Sequence, residues 1–514
     1  MAFVLIGFMG AGKSSAAKEL AEVLGGAALD SDKLLEASLG HSVAREFELH
    51  GEDAFRALEE RLVCELLGDA RADDVVALGG GSILSATVRE ALLGHVTVLL
   101  DVSAETAWER VDAGQAGRRP LAREREAFFA LHSERLALYE GLADAFIPEL
   151  ARGAVLATAR ALRALQAAPS GTRLLWASAA SGEYPVLVGR GLLGGADAGR
   201  IWPLALPLSQ AFCVSDETVS ALYGDRLGSL AGMLAIPAGE AHKTLAIAER
   251  VWRTLADAGV TRAGCIVALG GGVVGDLTGF CAATYQRGVP VVQVPTTLIA
   301  QVDSAYGGKT GVDLPEAKNY VGAYHQPAAV LVDPDTLDTL PAAELASGWV
   351  EVLKTALIAG GRLWERIAAG SEVDEETILD CARTKLAIVA ADERDAGARQ
   401  ALNLGHTVGH AIETVTGYVR YRHGEAVGLG LLAALRLSGK DELRALVREL
   451  LLEQGLPVTL ADASPELVVA ASALDKKRVG AEVPFVLLDA PGDVKIGCEV
   501  AKEDLRAAVA ELAQ

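Results

Sequence analysis

The chain has 514 residues, of which 51% are hydrophobic and 22% are charged. A single hydrophobic core stops growing near about 250 to 300 residues, so this length predicts two or three domains and the composition excludes wholesale disorder. The 47 basic and 68 acidic side chains give a formal net charge of −21, which repels nucleic acid and anionic lipid. We expect small-molecule substrates as partners, with no nucleic acid and no membrane, and anionic substrates must then meet locally clustered Lys and Arg.

The six cysteines are scattered along the chain and form no C-x-x-C pair, which favours a reducing compartment. No uncharged apolar run reaches the roughly 18 residues that a membrane span needs. The start of the chain has neither the basic lead nor the small-residue cleavage site of a signal peptide. We therefore expect a cytoplasmic, unprocessed protein.

The first 165 residues predict an α/β domain. Short apolar runs at residues 3–6, 75–78 and 96–100 alternate with stretches of helical period, as parallel strands alternate with crossover helices. Residues 166–182 are rich in Ala, Ser and Gly and have no periodicity, which predicts a linker. The first domain is therefore placed at residues 1–165.

A second domain is expected over residues 183–514. Its first part, residues 183–339, keeps the α/β pattern, and its second part, residues 340–514, is mostly amphipathic helix with one hairpin. The expected strands lie at residues 186–188, 212–215, 265–269 and 291–294, the expected helix at 244–258, and the expected hairpin at 483–488 and 494–499.

A phosphate loop follows the first apolar run. Residues 7–14 read Gly-Phe-Met-Gly-Ala-Gly-Lys-Ser, the G-x-x-x-x-G-K-S pattern, between a predicted strand and a helix-forming stretch. Its glycines let backbone N–H groups turn towards phosphate oxygens, Lys13 neutralises the transferred phosphate, and the Ser14 hydroxyl can ligate Mg²⁺. The flanking strand and helix argue against a chance match or a structural turn. We expect ATP at Gly10, Ala11, Gly12, Lys13, Ser14 and Ser15.

Further residues indicate which kind of molecule accepts the phosphoryl group. They are Asp30 and Asp32 after the second apolar segment, Arg56 with Glu59, residues 79–82 (Gly-Gly-Gly-Ser), the basic loop 118–121, and Arg135 with Tyr139. Taken singly, each arginine reads as a solvated surface charge. Together, after a phosphate loop, they resemble the shikimate kinase family over nearly all of residues 1–165.

This resemblance implies transfer of phosphate from ATP with Mg²⁺ to shikimate. It places shikimate on Asp32, Arg56, Gly79, Gly80, Gly81 and Arg135. Ser14 and Asp30 would hold the Mg²⁺, Asp32 would also help to activate the attacking hydroxyl, and Arg119 would cover the phosphates from a lid. Ser15 stands where the family more often has Thr, and no adenine-contacting residue is matched.

The first candidate binding motif of the second domain is a glycine-rich turn. Residues 270–276 (Gly-Gly-Gly-Val-Val-Gly-Asp) follow a predicted strand and begin a helix, so their N–H groups can approach a pyrophosphate. The G-x-G-x-x-G order is absent, which indicates a dinucleotide fold other than the usual Rossmann form, and Val-Pro-Thr-Thr follows at residues 294–297. A purely structural turn remains an alternative at this point.

Histidines and one carboxylate indicate a metal site. His406 and His410 are four residues apart, hence on one helix face, and His423 follows. Two histidines and one carboxylate such as Glu351, with an open position, are a usual catalytic set for a divalent metal. A lone helical histidine is usually structural, but only nine are present, so this clustering is informative.

Cations surround these motifs and suit a substrate that carries both carboxylate and phosphate. They are Lys309, Lys318, Lys354, Lys385, Arg399 and Lys476. In order and spacing, these motifs resemble the 3-dehydroquinate synthase family from about residue 183 to the end of the chain.

The second resemblance implies three sets of site residues. The ligands of Zn²⁺ or Co²⁺ would be Glu351, His406 and His423. NAD⁺ would contact Asp216, Glu240, Lys243, Gly272, Val273, Val274, Gly275, Asp276, Thr296, Thr297, Lys309, Lys318, Thr336 and Thr339. A heptulosonate phosphate would meet Asp303, Lys309, Asn319, Lys354, Lys385, Arg399, His410, Lys476 and Arg287, the last from a neighbouring subunit of a homodimer formed through this domain.

The implied chemistry is transient oxidation of a ring hydroxyl by NAD⁺, elimination of phosphate, return of the hydride, ring opening and carbocyclic aldol closure. Two alternatives stay open. The second domain could be a related sugar-phosphate cyclase or a polyol dehydrogenase, although a dehydrogenase needs no phosphate-binding cations. One half could also be a catalytically dead module, although neither site has lost a chemical group.

Overall fold

The computed structural model describes residues 1–113, 124–148, 153–194, 199–472 and 484–513. The chain forms two compact units. The first comprises Met1–Trp176, Pro185–Leu187 and Arg200–Ala205, and the second comprises Ala177–Tyr184, Val188–Gly199 and Leu206–Gln514. No helix among the described residues is long and apolar enough to cross a bilayer.

The first unit is a parallel sheet with helices, as its alternating pattern predicts. Its strands are β1 (Phe3–Ile6), β2 (Ala28–Asp30), β3 (Val75–Ala77), β4 (Val96–Leu100) and β5 (Ala145–Ile147), in the order β2-β3-β1-β4-β5. Its helices are α1 (Lys13–Leu24), α2 (Ser31–Leu39), α3 (Val43–Asp69), α4 (Ala86–Leu92), α5 (Ala104–Ala113), α6 (Arg125–Leu142) and α7 (Val155–Ala167). The four residues of the central strand β1 are buried, so the loop that follows β1 starts from a rigid position.

The segment expected as an irregular linker contains regular structure. Residues 166–182 were predicted to lack periodic elements, but Arg173–Ala179 forms strand β6, and β7 spans Gly182–Val188. Within the first unit, β6 pairs in parallel with β5 through Ala145 and Leu174. The apolar residues 174–176 are buried there, and this burial outweighs the Ala, Ser and Gly that read as connecting sequence.

The second unit has a parallel sheet and a larger helical part, and the predicted α/β class is confirmed. Its strands are β8 (Ala211–Asp216), β9 (Gly232–Ile236), β10 (Cys265–Gly270), β11 (Val291–Pro295), β12 (Lys309–Leu314), β13 (Ala317–Tyr324), β14 (Ala329–Val332), β15 (Phe485–Ala490) and β16 (Asp493–Cys498). Its helices are α8 (Glu217–Tyr223), α9 (Leu245–Asp257), α10 (Gly272–Thr284), α11 (Ala342–Ala359), α12 (Gly361–Ala368), α13 (Glu375–Ala391), α14 (His406–Val415), α15 (His423–Leu437), α16 (Asp441–Glu453), α17 (Pro465–Ser472) and α18 (Lys502–Leu512).

The parallel strands of the second unit run in the order β14-β11-β10-β8-β9. β15 and β16 form the expected antiparallel hairpin, and β12 with β13 forms a second hairpin that periodicity did not predict. The second hairpin escapes prediction because β13 is largely exposed and mixes polar and aromatic residues.

Helix α11 determines where the helical part carries its chemistry. Its residues 347–358 are all buried, so the helix is enclosed on every side. Charged residues on such a helix must face partners in the interior. Glu351 and Lys354 are therefore held within the protein rather than on its surface.

Candidate active sites

The phosphate loop of the first unit joins β1 to α1. Gly10 and Gly12 have φ of 86° and 92°, the left-handed region that glycine tolerates, and a Cβ on Gly10 would lie 2.4 Å from the Ala107 carbonyl oxygen. The Lys13 ammonium donates to the carbonyl oxygens of Gly7 and Phe8 at 2.7 and 3.1 Å, which holds the charge over the loop. No side chain caps the first turn of α1. Its N–H groups can therefore meet an anion.

Asp30, at the end of β2, lies beside Ser14 of the loop. Burial alone would raise the pKa of Asp30, but hydrogen bonds from the Ser14 hydroxyl and the Lys33 backbone, with the Lys33 charge, lower it. Its Oδ2 is buried, has no hydrogen bond of ordinary geometry and lies 3.3 Å from the Lys33 ammonium. An anionic oxygen with spare acceptor capacity beside a hydroxyl fits Mg²⁺, which prefers oxygen ligands.

A second group of side chains gathers around the glycine turn after β3. A Cβ on Gly79 would lie 2.6 Å from Asp32 Oδ1, and one on Gly81 would lie 2.2 Å from a terminal nitrogen of Arg56. The Gly80 carbonyl accepts from the Tyr139 hydroxyl and, at 3.5 Å, from Arg135. The turn thus brings an aspartate and two arginines together, although they lie far apart in sequence.

This pocket adjoins the phosphate loop, because a Cβ on Gly80 would lie 3.4 Å from the Met9 backbone nitrogen. Arg56 is held in place on three sides. Its guanidinium lies 2.6 Å from Glu59 and 3.1 Å from Glu52, and it stacks on the Phe55 ring at 5.3 Å. Such fixing pre-organises a cation for a carboxylate ligand.

Two residues of this unit qualify the predicted site. Arg119, the predicted lid residue, lies outside the described residues. Arg110 of α5 was not singled out from sequence, yet its guanidinium lies 3.4 Å from the Ala11 carbonyl oxygen of the phosphate loop. Its place one turn before the end of a helix gave no signal in the sequence.

Glu351, His406 and His423 of the second unit converge, with one ligand atom from each within 4.8 Å of the others. Oε1 of Glu351 lies 3.6 Å from His406 Nε2 and 3.3 Å from His423 Nε2. The three residues come from α11 and from the first residues of α14 and α15. Helix packing alone brings them together.

The donor groups of this cluster fit a divalent metal. His406 Nδ1 lies 3.2 Å from the Leu404 carbonyl oxygen, which can only accept a hydrogen bond. This contact keeps the ring proton on Nδ1 and leaves the lone pair of Nε2 for a metal. Both carboxylate oxygens of Glu351 are buried without a hydrogen bond of ordinary geometry. Burial alone would raise the pKa of Glu351, but Lys354, His406 and His423 lower it well below its usual value. The carboxylate is therefore anionic and available to a cation.

Buried cations lie next to the cluster. Lys354 Nζ is 2.6 Å from Glu351 Oε2 and 3.9 Å from Asp303 Oδ1. Lys385 Nζ is 2.7 Å from the same Asp303 oxygen and 2.6 Å from the Asp303 carbonyl oxygen. The structure thus brings Asp303, Lys354 and Lys385 together beside the metal ligands, where an anionic substrate could displace the internal contacts.

The remaining predicted substrate residues differ in their surroundings. Arg399 is buried and donates to the backbone carbonyls of Glu393 and, at 2.9 Å, Gly307, so its terminal nitrogens already hold the loop before β12. Lys309, half exposed, pairs with Asp395 at 2.5 Å. The His410 ring centroid lies 5.2 Å from that of His406.

Three further substrate assignments do not reach the cluster by any described contact. Asn319 lies on β13, where its backbone donates to Asp313. Arg287 is exposed in the turn after α10 and has φ of 69°. Lys476 lies outside the described residues.

The turn between β10 and α10 fits a dinucleotide. Helix α10 begins at Gly272 and includes Val273, Val274 and Gly275, and no side chain caps its first turn at Gly271. Thr296 follows the last residue of β11, which pairs with the last residue of β10. Its hydroxyl oxygen is buried without a hydrogen-bond partner. Free helix N–H groups and an unsatisfied hydroxyl suit a pyrophosphate.

Other predicted dinucleotide contacts already have partners within the protein. Lys243 pairs with Asp276 at 3.1 Å and with Glu240 at 3.3 Å, and Lys318 lies 3.7 Å from Glu240. Asp216 caps α8 and Thr297 accepts from the backbone of residue 300. The Thr336 hydroxyl bonds Gln301, and that of Thr339 bonds Tyr223.

Glu413 is a buried carboxylate that sequence reasoning missed. It lies on α14 with Oε2 at 3.5 Å from His423 Nδ1, and together with His410 and His423 it forms a second group of possible ligands. The available signal was its position three residues after His410, which places both on one helix face.

Comparison with known families matches three stretches of the chain. A shikimate kinase model matches residues 9–165, a model of the 3-dehydroquinate synthase N-terminal domain matches 233–347, and one of its C-terminal domain matches 348–478.

Individual relatives match the second unit. The 3-dehydroquinate synthase of Halorhodospira halophila is 43% identical over 350 residues, 65% of this chain and 98% of that protein. That of Methylococcus capsulatus is 45% identical over 345 residues, covering 63% and 95%. Among solved structures, the 2-epi-5-epi-valiolone synthase of Streptomyces hygroscopicus with NAD⁺ and Zn²⁺ bound is 28% identical, with a TM-score of 0.58 over 64% of this chain and 96% of that one.

Proposed function

The chain belongs to the 3-dehydroquinate synthase family and carries a shikimate kinase domain before that part, and from this premise we propose that it catalyses two reactions of the shikimate pathway. The first is phosphorylation of shikimate by ATP to shikimate 3-phosphate. The second converts 3-deoxy-D-arabino-heptulosonate 7-phosphate to 3-dehydroquinate and phosphate. We propose the domain limits 1–165 and 183–514 for these activities.

The kinase proposal depends on the shared wall between the phosphate loop and the glycine turn. Lys13 and backbone N–H groups at the start of α1 would hold the ATP phosphates, with Ser14 and Asp30 on Mg²⁺. Arg56 and Arg135 would hold the shikimate carboxylate, and Asp32 would accept from a ring hydroxyl. Because Gly80 lies against Met9, a phosphoryl acceptor in this pocket would lie next to the transferred phosphate. Holding the two reactants side by side in this way would account for most of the rate acceleration.

The synthase proposal is carried by one observation, the convergence of Glu351, His406 and His423 beside two buried lysines. These ligands suit Zn²⁺ or Co²⁺, and the β10 to α10 turn suits NAD⁺. Bound there, the metal would supply Lewis-acid polarisation and NAD⁺ the reversible oxidation of a ring hydroxyl. The valiolone synthase structure, which contains NAD⁺ and Zn²⁺, supports the transfer of both cofactors to this chain.

Within that site the chain's own residues would bind and orient the substrate. Lys354 and Lys385 are cations in a buried position, where an anionic group of the substrate would replace the carboxylates that now pair with them. Asp303 holds both ammonium groups in place until the substrate arrives. The burial of all these groups excludes water from the reacting centre.

A related sugar-phosphate cyclase is the second candidate for the C-terminal part, because a 2-epi-5-epi-valiolone synthase shares its fold and 28% of its sequence. The 43 and 45% identity to 3-dehydroquinate synthases favours the first assignment. A polyol dehydrogenase would have no use for the lysines around Asp303.

The test is product analysis on the full chain with each candidate substrate in turn. Shikimate with ATP and Mg²⁺ should give shikimate 3-phosphate, and the heptulosonate 7-phosphate with NAD⁺ and Zn²⁺ should give 3-dehydroquinate and one equivalent of phosphate. Turnover of a heptulose 7-phosphate without a carboxylate in preference to the heptulosonate would transfer the assignment to the other cyclase.

A further inference from the structure

His423 lies between two carboxylates that come from different helices. Its Nε2 is 3.3 Å from Glu351 Oε1, and its Nδ1 is 3.5 Å from Glu413 Oε2. Glu351 belongs to the proposed metal centre, whereas nothing in that centre requires Glu413 as a ligand. Each ring nitrogen of His423 therefore has a carboxylate oxygen as a neighbour.

Glu413 is held in position from the other side as well. Its residue is 4% exposed, and its Oε1 lies 3.5 Å from Lys318 Nζ on β13. The Lys318 ammonium stacks over the Tyr418 ring at 4.4 Å. A carboxylate buried between a lysine and an imidazole is held from both sides, because moving it would cost its contacts to both.

The two histidines of the centre need the same arrangement of protons. An imidazole donates a lone pair from Nε2 to a metal only when its proton is on Nδ1, and a partner for that proton fixes the tautomer and the ring orientation. For His406 the partner is the Leu404 carbonyl oxygen at 3.2 Å. For His423 the acceptor facing Nδ1 is Glu413.

We propose that Glu413 is a positioning residue, which accepts the Nδ1 proton of His423 so that Nε2 faces the divalent cation. This inference rests on the metal centre of the proposed function. It assigns Glu413 no direct contact with substrate or metal, and it makes Lys318 the group that anchors the carboxylate.

A second reading gives Glu413 to another metal ion, because His410, Glu413 and His423 also offer ligand atoms within 4.8 Å of one another. One observation favours the positioning role: a second ion at this group would need His423, which already serves the first ion. The number of zinc ions bound per chain distinguishes the two readings.

The experiment measures zinc affinity of the full-length protein by competition with a chromophoric chelator, and it adds phosphate release as a second readout. The variants are Glu413→Ala and Glu413→Gln, with His406→Ala as the loss of a ligand. The matched control is Glu511→Ala, a carboxylate of α18 that pairs with Arg436 and Arg444 at 2.9 and 2.7 Å outside the site.

Glu413→Ala should bind zinc about 10- to 100-fold more weakly, the usual effect of losing such a partner, and high zinc should restore much of its phosphate release. Glu413→Gln should show a smaller loss, because its amide oxygen still accepts the proton but carries no charge. Glu511→Ala should match the wild type, and each chain should bind one zinc. Shikimate phosphorylation should persist in every variant. Because that activity belongs to the first unit, far-UV circular dichroism of each variant is compared with the wild type to show that the second unit is folded.

Unchanged zinc affinity in Glu413→Ala would overturn the positioning role, as would a second zinc per wild-type chain. If Glu413→Ala does not fold, unchanged affinity in Glu413→Gln overturns the role in the same way, and a measurable loss supports it. Failure of the proposed function looks different, because then His406→Ala also keeps full zinc affinity or the wild type binds none.

Discussion

On α11 the ammonium of Lys354 lies 2.6 Å from Oε2 of Glu351, and both side chains are 1% exposed. The lysine therefore neutralises the carboxylate that would also ligate the metal. Removing one partner of a buried ion pair strongly destabilises the folded protein, because the other charge stays buried without its partner. In the proposed metal centre, lysine and metal would therefore share one anion.

Lys354→Met should separate metal binding from turnover. Without the competing ammonium, zinc affinity should stay equal to or exceed that of the wild type, while phosphate release should fall by about 10²- to 10³-fold because a charge that meets the substrate is gone. Chelator competition and a phosphate assay measure the two effects. Lys440→Met, a surface lysine 3.8 Å from Asp489, is the control. Weaker zinc binding in Lys354→Met would contradict the shared-anion interpretation.

His406→Ala should remove the metal from the second unit. Its zinc affinity should fall by more than the about 10- to 100-fold typical of an outer partner, and phosphate release should disappear with it. Shikimate phosphorylation should continue in the same sample. Chelation of the wild type should have the same effect, but added Zn²⁺ or Co²⁺ should restore the wild type alone. The control is His41→Gln, in the first unit. Full stoichiometric zinc with undiminished turnover in His406→Ala would exclude the three-ligand site.

Lys13→Ala should lower the rate of phosphoryl transfer by at least about 10²-fold, because it removes the cation held over the phosphate loop. Phosphate release from the heptulosonate should be unchanged. Coupled assays of both activities on the full chain test this. Lys18→Ala, exposed on the same helix α1, should leave both activities intact. Loss of both activities in Lys13→Ala would instead indicate coupling between the sites.

Gly81→Ala should raise the KM for shikimate by about 10- to 100-fold, since displacing a binding group by about 1 Å has effects of this size. Its φ of −101° suits alanine, but the new Cβ would lie 2.2 Å from the Arg56 guanidinium. Steady-state kinetics measure the effect. Gly68→Ala is the matched control, because nothing lies within 4 Å of its added Cβ. An unchanged KM in Gly81→Ala would remove Arg56 from the shikimate site.

A fragment of residues 1–176 should fold and phosphorylate shikimate with ATP and Mg²⁺, because it holds the whole phosphate loop and glycine turn. A fragment of residues 1–165 should be active but melt at a lower temperature, since it lacks the β6 residues that pair with β5 through Leu174 and Leu175. Circular dichroism and a kinase assay check both. Equal melting temperatures would show that this pairing contributes nothing to stability.

Local motifs made the first unit and the glycine turn of the second predictable. The phosphate loop is eight consecutive residues between a strand and a helix, so its geometry follows from neighbours in the chain. Strands β8, β10 and β11 were likewise legible from short apolar runs. The hairpin of β12 and β13 was not, because an exposed ribbon has no buried face to impose a period.

By itself the sequence determined which residue types the sites can use: a phosphate loop, a pair of histidines at helical spacing, and lysines and arginines close to these motifs in an acidic chain. Tertiary structure alone decided which of them meet. Glu351, His406 and His423 lie close together only because α11, α14 and α15 pack against one another. Arg399 donates to backbone carbonyl oxygens, a contact that no sequence motif predicts. Glu413 became visible only when its carboxylate was found facing Nδ1 of His423. Spacing along a helix fixes a face, but the partner across that face is set by packing between distant segments.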